Sequence, residues 1–495
     1  MTKIKRAAPI IFLAIIFSFI FFYRLDYNTL ESWDEAWYAS IAREMAKTGN
    51  FIQMVWNGEP YYDHPPMGFW LMAISYKLFG VNELATRLPP ALLGLFSILL
   101  IYKVAYELFG KKIIGFVAAL ILGTSVWYVI RVRSGNLESV FIFFYLLTVF
   151  LSIKSAKNFN WFPLTMVSFA ALMLSKTLVG ISAVFLILLF NFRQIINLKK
   201  NLLLLLFAVW FFVLTVFPWY SFHIKNVPGF IEYHFIHKGA RDKTLTSYFQ
   251  LKMDQPLFYI HMGMRKWYRL WQVSILFVLT NALILFFRLI TKRKSKKILI
   301  YLLLIIWNVI VIYPFLTSEQ TELWHLIPTY LPISLMVAFV FYDVGVPIFN
   351  FSLDFLGKIF KKFKFFRQEV IFQTFYLLLF LYLTVIQVYN FRKEVFPESR
   401  YITDQVDISK KLAKYNKKIF LDIDYLPVAV FYSGKQIETL VYEASGEATF
   451  ARLFKEDNGN VIGVTKNWVI EDLMKKNFPL TRLEKNNTYS IISKQ

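Results

Sequence analysis

The chain contains no cysteine, so no disulfide can brace an outer domain and no thiol can act as nucleophile or metal ligand. Charge is scarce as well. Asp, Glu, Lys and Arg make up 18% of the 495 residues, against 57% hydrophobic and 19% aromatic, a balance far too apolar for soluble domains of this length. Acids are the rarer sign, 32 against 55 Lys and Arg, so an acid at a membrane boundary calls for a reason. Also missing are a glycine-rich dinucleotide loop, a phosphate-binding P-loop signature and an internal repeat of fixed period. A nucleotide cofactor and a nucleotide-dependent activity are therefore unsupported.

What is present is a series of apolar runs: Ile10 to Phe22, Leu92 to Val104, Ile113 to Ile130, Val140 to Ile153, Phe162 to Leu174, Leu178 to Phe190, Leu202 to Phe217, Val273 to Phe287, Ile298 to Phe315, Ile327 to Phe341 and Val370 to Val388. They predict a polytopic α-helical membrane protein of about eleven spans, several completed by flanking residues or tilt. The formal charge of +23 raises the question of nucleic acid, but its distribution answers against it. Lys3, Lys5 and Arg6, then Lys111 and Lys112, Lys154 and Lys157, Lys199 and Lys200, Lys292 to Lys297, and Lys358 to Arg367 fall in alternate connections, the positive-inside pattern. This puts the N-terminus in the cytoplasm. The long connections Arg24 to Pro90 and Trp219 to Trp271 fall outside, in or beyond an inner or plasma membrane. The first run has the basic start of a signal peptide but no small-residue cleavage site after Phe22, so it is expected to remain as a helix.

Composition changes after Tyr389. Residues 390–495 are polar, with an alternating stretch at Lys418 to Asp422, a helix expected around Val428 to Ser433, and strands expected near Val461 to Val464 and Tyr489 to Ile492. The division is a membrane domain over 1–389 and a small extracytoplasmic α/β domain of about 105 residues, within the usual size of an independent domain.

Asp34 and Glu35 follow directly on the first span, in ESWDEAWYASIAREMAKTGN. The stretch reads as a short amphipathic helix stopped at Gly49, with Trp33, Trp37 and Ile41 on one face suited to the headgroup layer. Ser32 and Glu35 fit an S-x-x-E capping box, which accounts for Glu35 as a cap as well as a candidate catalytic acid. Asp34 has no such structural explanation, and a catalytic role is expected of it. Thirty residues on, Tyr61 and Tyr62 precede Asp63-His64, and Pro65-Pro66 stiffens the chain there. His64 can hold a metal with Asp63, donate to a phosphate or move a proton; the bland alternative is a solvated turn.

WDEAWYASIAREM and NGEPYYDHPPMGFWLMAISYKLFGVNELATRLPPALLG resemble the first outer loop and following span of the GT-C membrane glycosyltransferases, in particular the branch holding the protein O-mannosyltransferases and the lipid A aminoarabinose transferases. RVRSGNLESVFIFF from Arg131, LMLSKTLVG from Leu172, FPWY from Phe217 and WHLIPTYLP from Trp324 extend the resemblance over roughly the first 345 residues. It implies inverting transfer of a sugar from a polyprenyl-phosphate carrier to a lipid, glycan or protein hydroxyl on the outer face. It further implies that Asp34 activates or positions the acceptor and that a second acid, matched by Glu138, stands nearby. Where the family has acid-Lys-Pro-Pro this chain has Asp63-His64-Pro65-Pro66, and a histidine replaces the lysine expected to hold the carrier phosphate.

The chemistry can be argued independently. An outer-face transferase needs a membrane-borne donor, a carboxylate near the attacking hydroxyl, and cationic or metal stabilisation of the departing phosphate. Asp34 meets the second need. Candidates for the third are His64, Lys176, Arg241 and a divalent cation held by Asp63 and His64, with Tyr62 and His237 as further substrate contacts. Lys176 reads equally as a snorkelling lysine, and Arg131 and Arg133 as helix-end anchors or partners of Glu138. A lipid-linked sugar flippase would also show many spans, but should carry paired repeats or broken helices at mid-membrane.

Overall fold

A computed structural model describes residues 2–176, 178–240, 249–290, 296–318, 321–359, 368–421, 425–439 and 460–494. Arg241, most of the Lys292 to Lys297 block and most of Lys358 to Arg367 lie outside the described residues. The chain opens with α1 (Thr2–Phe22), then α2 (Asp34–Thr48), a hairpin of β1 (Met54–Trp56) and β2 (Glu59–Tyr61), and α3 (Met67–Phe79). Asn57 and Gly58, with φ of 54° and 91°, make the hairpin turn, as an Asn-Gly pair does most readily. The long helices follow: α4 (Glu83–Phe109), α5 (Lys112–Gly123), α6 (Val126–Val132), α7 (Glu138–Lys157), α8 (Phe162–Met173), α9 (Ser182–Ile195) and α10 (Leu198–Asn226). A π-helix (Glu232–Ala240) leads to α11 (Asp254–Met264), α12 (Lys266–Ile290), α13 (Lys296–Leu316), α14 (Tyr330–Ile359) and α15 (Gln368–Val395).

Six described helices are long and apolar enough to cross a membrane, and the pair α5 and α6 makes a seventh if read as one span bent by 72°. This corrects the reading of Ile113 to Ile130 as one straight span. Hydropathy runs unbroken across Gly123-Thr124-Ser125, yet the helix turns there. The Thr124 carbonyl and hydroxyl are met instead by Gln387 Nε2 at 3.3 Å and Trp267 Nε1 at 3.0 Å, as freed backbone groups in a membrane must be. Fully buried Phe17, Phe21, Tyr128, Tyr145, Trp267, Trp307 and Tyr330 fill the helical core, whereas the most apolar stretch of α10 is 11% buried and faces outward. Two further expectations change. α4 begins at Glu83, before the prolines, because the Asn82 side chain caps it by accepting from Ala85 N–H. Much of Trp219 to Trp271 is helical rather than an open loop.

Beyond α15 come α16 (Asp404–Leu412), β3 (Lys418–Leu421), α17 (Leu426–Ser433), β4 (Ile437–Thr439), β5 (Val461–Lys466), α18 (Asn467–Lys475), β6 (Leu480–Lys485) and β7 (Tyr489–Lys494). The strands form one mixed sheet in the order β4-β3-β5-β7-β6, parallel across β4, β3 and β5 and antiparallel beyond. Alternation gives it two apolar faces. Ile491 joins a core shared with α16 and α17, and its neighbour Ile492 packs with Ile470 and Leu473 of α18. The first of these cores continues into α2, the hairpin and α3 through Ile41, Met54, Tyr61 and Phe69. The face expected to lie in a headgroup layer divides: Ile41 is fully buried and Trp37 packs on Trp56 and Tyr61, so protein covers these two, whereas Trp33 stays exposed.

Candidate active site

α2 starts at Asp34 behind Trp33, whose φ of 68° ends the preceding turn, and Gly49 in the left-handed conformation closes it. The expected capping box is not made. Glu35 Oε2 accepts from the Glu31 N–H at 2.9 Å and from Arg87 Nη2 at 2.9 Å, and Oε1 accepts from Arg87 Nε at 2.7 Å and the Gly135 N–H at 2.8 Å. Arg87, on the first turns of α4, also ties the carbonyls of Leu25, Asn28 and Thr29. Gly135 can come so close because it has no Cβ; one would strike Thr86 at 2.5 Å. Burial pushes the Glu35 carboxyl up, but the Arg87 charge and these hydrogen bonds outweigh it and hold the group below the usual range. Four donors consume both oxygens, which corrects the expectation of Glu35 as a catalytic acid and makes it the knot of the loop.

Asp34 differs in every respect. It keeps 28% of its side chain exposed, and Oδ2 accepts one long bond, 3.3 Å, from Arg131 Nη2. Burial raises its pKa; Arg131 opposes this, Glu138 adds to it and Lys176 opposes it. Glu138 begins α7 and Lys176 follows α8, and Nζ donates to Glu138 Oε1 at 2.8 Å with both side chains largely buried. The interface-snorkelling reading of Lys176 therefore gives way to a buried ion pair beside Asp34. Glu138 Oε2 and Arg131 Nε are buried without a hydrogen-bond partner among the described residues, leaving polar capacity at the site. The Arg131 guanidinium lies 4.3 Å over the Trp324 ring, which orients it by cation–π attraction. Tyr38 stands on the inner face of α2 with its pKa raised well above the ordinary value, by burial first and then by Asp34 and Glu138, so it stays a neutral hydroxyl. Arg133 turns away to anchor the loop, donating to the carbonyls of Ile20 and Tyr23.

The Asp63-His64 turn reaches the same place from below α2. His64 meets the Tyr38 ring edge-on at 5.8 Å, and the α3 N–H of Met67 donates to the Leu174 carbonyl, tying this turn to the Lys176 segment. Asp63 Oδ1 accepts from the Tyr233 hydroxyl at 2.7 Å, and Tyr62 packs on Phe230 and Tyr233. His234 is buried, which pushes its pKa down to about 4, and as a neutral ring its Nδ1–H donates to the Tyr62 carbonyl at 3.1 Å. His237 is exposed, beside Tyr233 and 3.9 Å from Glu232. Asp63 and His64 amount to two metal ligands, and among the described residues no group of three His, Asp or Glu gathers that could hold an ion. Two ligands are by themselves too few to hold a metal centre.

Sequence reasoning missed Arg87, Tyr38 and Trp324. Arg87 and Trp324 lie far along the chain from the acids they serve.

The family model described as dolichyl-phosphate-mannose-protein mannosyltransferase matches residues 63–219. A protein of Aquifex aeolicus is 39% identical over 132 residues, 27% of this chain and 26% of its own length. An undecaprenyl phosphate-alpha-4-amino-4-deoxy-L-arabinose arabinosyl transferase of Aeromonas hydrophila is 37% identical over 121 residues, 24% of this chain and 21% of that protein. The chain thus spans about a quarter of the length of these curated relatives. Its fold, a multi-pass helical membrane body, is shared with solved membrane proteins. In particular, it is similar to ArnT from Cupriavidus metallidurans in the apo state, with TM-score 0.65 and 16% identity over 99% of this chain and 98% of that one. The Archaeoglobus fulgidus oligosaccharyltransferase is similar at TM-score 0.55 and 11% identity, over 94% and 69%.

Proposed function

We propose that this chain is an inverting glycosyltransferase that moves a sugar from a polyprenyl-phosphate donor to a hydroxyl of a lipid, glycan or protein on the outer face of the membrane. The observation that carries the reading is a partly exposed carboxylate, Asp34, set beside Arg131 and the Glu138–Lys176 pair. Asp34 accepts the proton as the acceptor oxygen attacks the anomeric carbon. The bond from that carbon to the phosphate oxygen breaks, and its electron pair leaves with the polyprenyl phosphate. Arg131, Lys176 and His64 supply the positive charge that the departing phosphate needs. Burial lifts the Asp34 pKa, which makes the carboxylate a stronger base than a solvated aspartate. Two findings support the carrier class. A solved structure similar over 98% of this chain is ArnT from Cupriavidus metallidurans bound to undecaprenyl phosphate, and the Aeromonas relative is named undecaprenyl phosphate-alpha-4-amino-4-deoxy-L-arabinose arabinosyl transferase.

For the topology we infer a cytoplasmic N-terminus and about eleven spans, α1, α8, α9 and α12 joining the seven candidates, in an inner or plasma membrane. The sheet unit after α15 is read as an extracytoplasmic α/β domain, on the same side as the acids. A flippase finds no support: the described residues hold one bent helix pair rather than paired broken helices. The test is transfer of labelled sugar from defined polyprenyl-phosphate sugars by the purified, reconstituted protein. Turnover that yields free polyprenyl phosphate supports the reading; lipid movement between leaflets without bond cleavage would replace it.

A further inference from the structure

The sheet unit after α15 touches the loop before α2, α2 itself, the start of α4 and the hairpin. The Tyr432 hydroxyl, at the end of α17, accepts from the Leu30 N–H at 2.8 Å and donates to Glu83 Oε1 at 2.8 Å. Leu30 belongs to the turn whose neighbouring carbonyls are held by Arg87 and whose next N–H, Glu31, is held by Glu35. Glu83 lies one helical turn before Arg87 on α4. A single hydroxyl therefore pins the loop ending at Asp34 to the helix that holds Glu35.

Two more contacts repeat the pattern. Arg43 of α2 donates to the Val430 carbonyl at 3.2 Å and to the Phe431 carbonyl, a cation placed on the negative end of α17. Asn57, at the tip of the hairpin that leads to Asp63-His64, exchanges two bonds with the Ile437 backbone. Its Nδ2 donates to the carbonyl at 2.8 Å, and its Oδ1 accepts from the N–H at 2.8 Å. The side chain thus prolongs the edge strand β4 as a backbone would.

We propose that the C-terminal unit is a positioning part of the transfer site, with Tyr432 holding the Asp34 loop and Asn57 holding the hairpin that delivers Asp63-His64. The proposal rests on the transferase reading for what is positioned, but the bracing itself can be tested apart from it. Loss of one hydroxyl leaves the Tyr432 ring packed, so a mild variant suffices.

In Tyr432→Phe, hydrogen exchange of the amides over residues 26–33 is expected to rise about tenfold, the loss of one buried hydrogen bond, with Tm nearly unchanged. The kcat for sugar transfer is expected to fall about five- to tenfold while KM for the polyprenyl donor stays within about twofold, a split that general loss of fold would not give. Asn57→Gly tolerates the positive φ, removes both bonds to Ile437, and is expected to raise exchange over 54–64 in the same way. Unchanged exchange in both variants overturns the bracing. Faster exchange at unchanged kcat overturns its link to catalysis. Should the parent protein transfer no sugar, the transferase reading fails, and the exchange measurement alone decides whether Tyr432 and Asn57 brace these loops.

Discussion

Glu35 receives four donors and Asp34 one, although the two carboxylates are adjacent in sequence. Their substitution should therefore fail in different ways. Glu35→Gln leaves the Arg87 charge buried opposite an amide and is expected to cost about 3 kcal/mol of stability, the low end for breaking a buried pair, read as a lowered Tm in detergent. Because folding lowers the Glu35 pKa, the stability it contributes is full above the unfolded value near 4.5 and is lost as pH falls below it. The parent Tm should drop in that window and the Gln variant's should drop less; parallel curves would show that Glu35 is not the loop's knot. His64 is where this chain departs from the lysine its resemblance implies. If it acts as a cation on the carrier phosphate, His64→Lys should keep turnover and hold it above about pH 7, where an ordinary imidazole is neutral and a lysine is not. Full turnover with an unchanged pH profile in His64→Ala would remove His64 from the site. Adjacent acids after a span are what singled out Asp34 in the sequence. Arg131 was not legible as its partner, because an ion pair between residues 97 apart leaves no local pattern.

Among the elements, the apolar runs located most of the long helices, since hydropathy reports burial or lipid contact directly. It says nothing of direction, and so the bend between α5 and α6 was hidden in an uninterrupted run. That bend matters, because α6 carries Arg131 and ends at Arg133. Gln387 Nε2 donates to both the Thr124 carbonyl and the Met264 carbonyl, at 3.3 and 3.1 Å, bridging the break to the end of α11. Gln387→Leu has nearly the same bulk but leaves two buried carbonyls without this donor. A loss of about 1–3 kcal/mol in stability is expected, together with a lower kcat as Arg131 loses its aim. Thermal melting and single-turnover rates measure the two effects, and a variant equal to the parent in both would show that the break holds itself. The inward turn of Trp37 and Ile41 was hidden for a related reason: a helix periodicity fixes which residues share a face, not whether lipid or protein covers it. The strands β3, β5 and β7 were legible from alternation, whereas their order and mixed direction depend on contacts between distant segments.

Across the whole molecule, composition alone separated an apolar body from a polar C-terminal stretch, but gave no hint that the two share a core running from Ile41 and Phe69 to Val428 and Ile437. That shared core joins α2, which begins at Asp34, to the sheet unit. The central claim is that Asp34 is the base of a sugar transfer from polyprenyl phosphate. It is tested most directly by measuring, across pH, the transfer rate of the purified parent and of Asp34→Asn from a polyprenyl-phosphate sugar. The account predicts a loss of about a thousandfold in kcat for the Asn variant, with donor binding and Tm retained, and a parent rate that falls as pH drops through a value above that of an ordinary aspartate. Near-parent turnover by Asp34→Asn would contradict it.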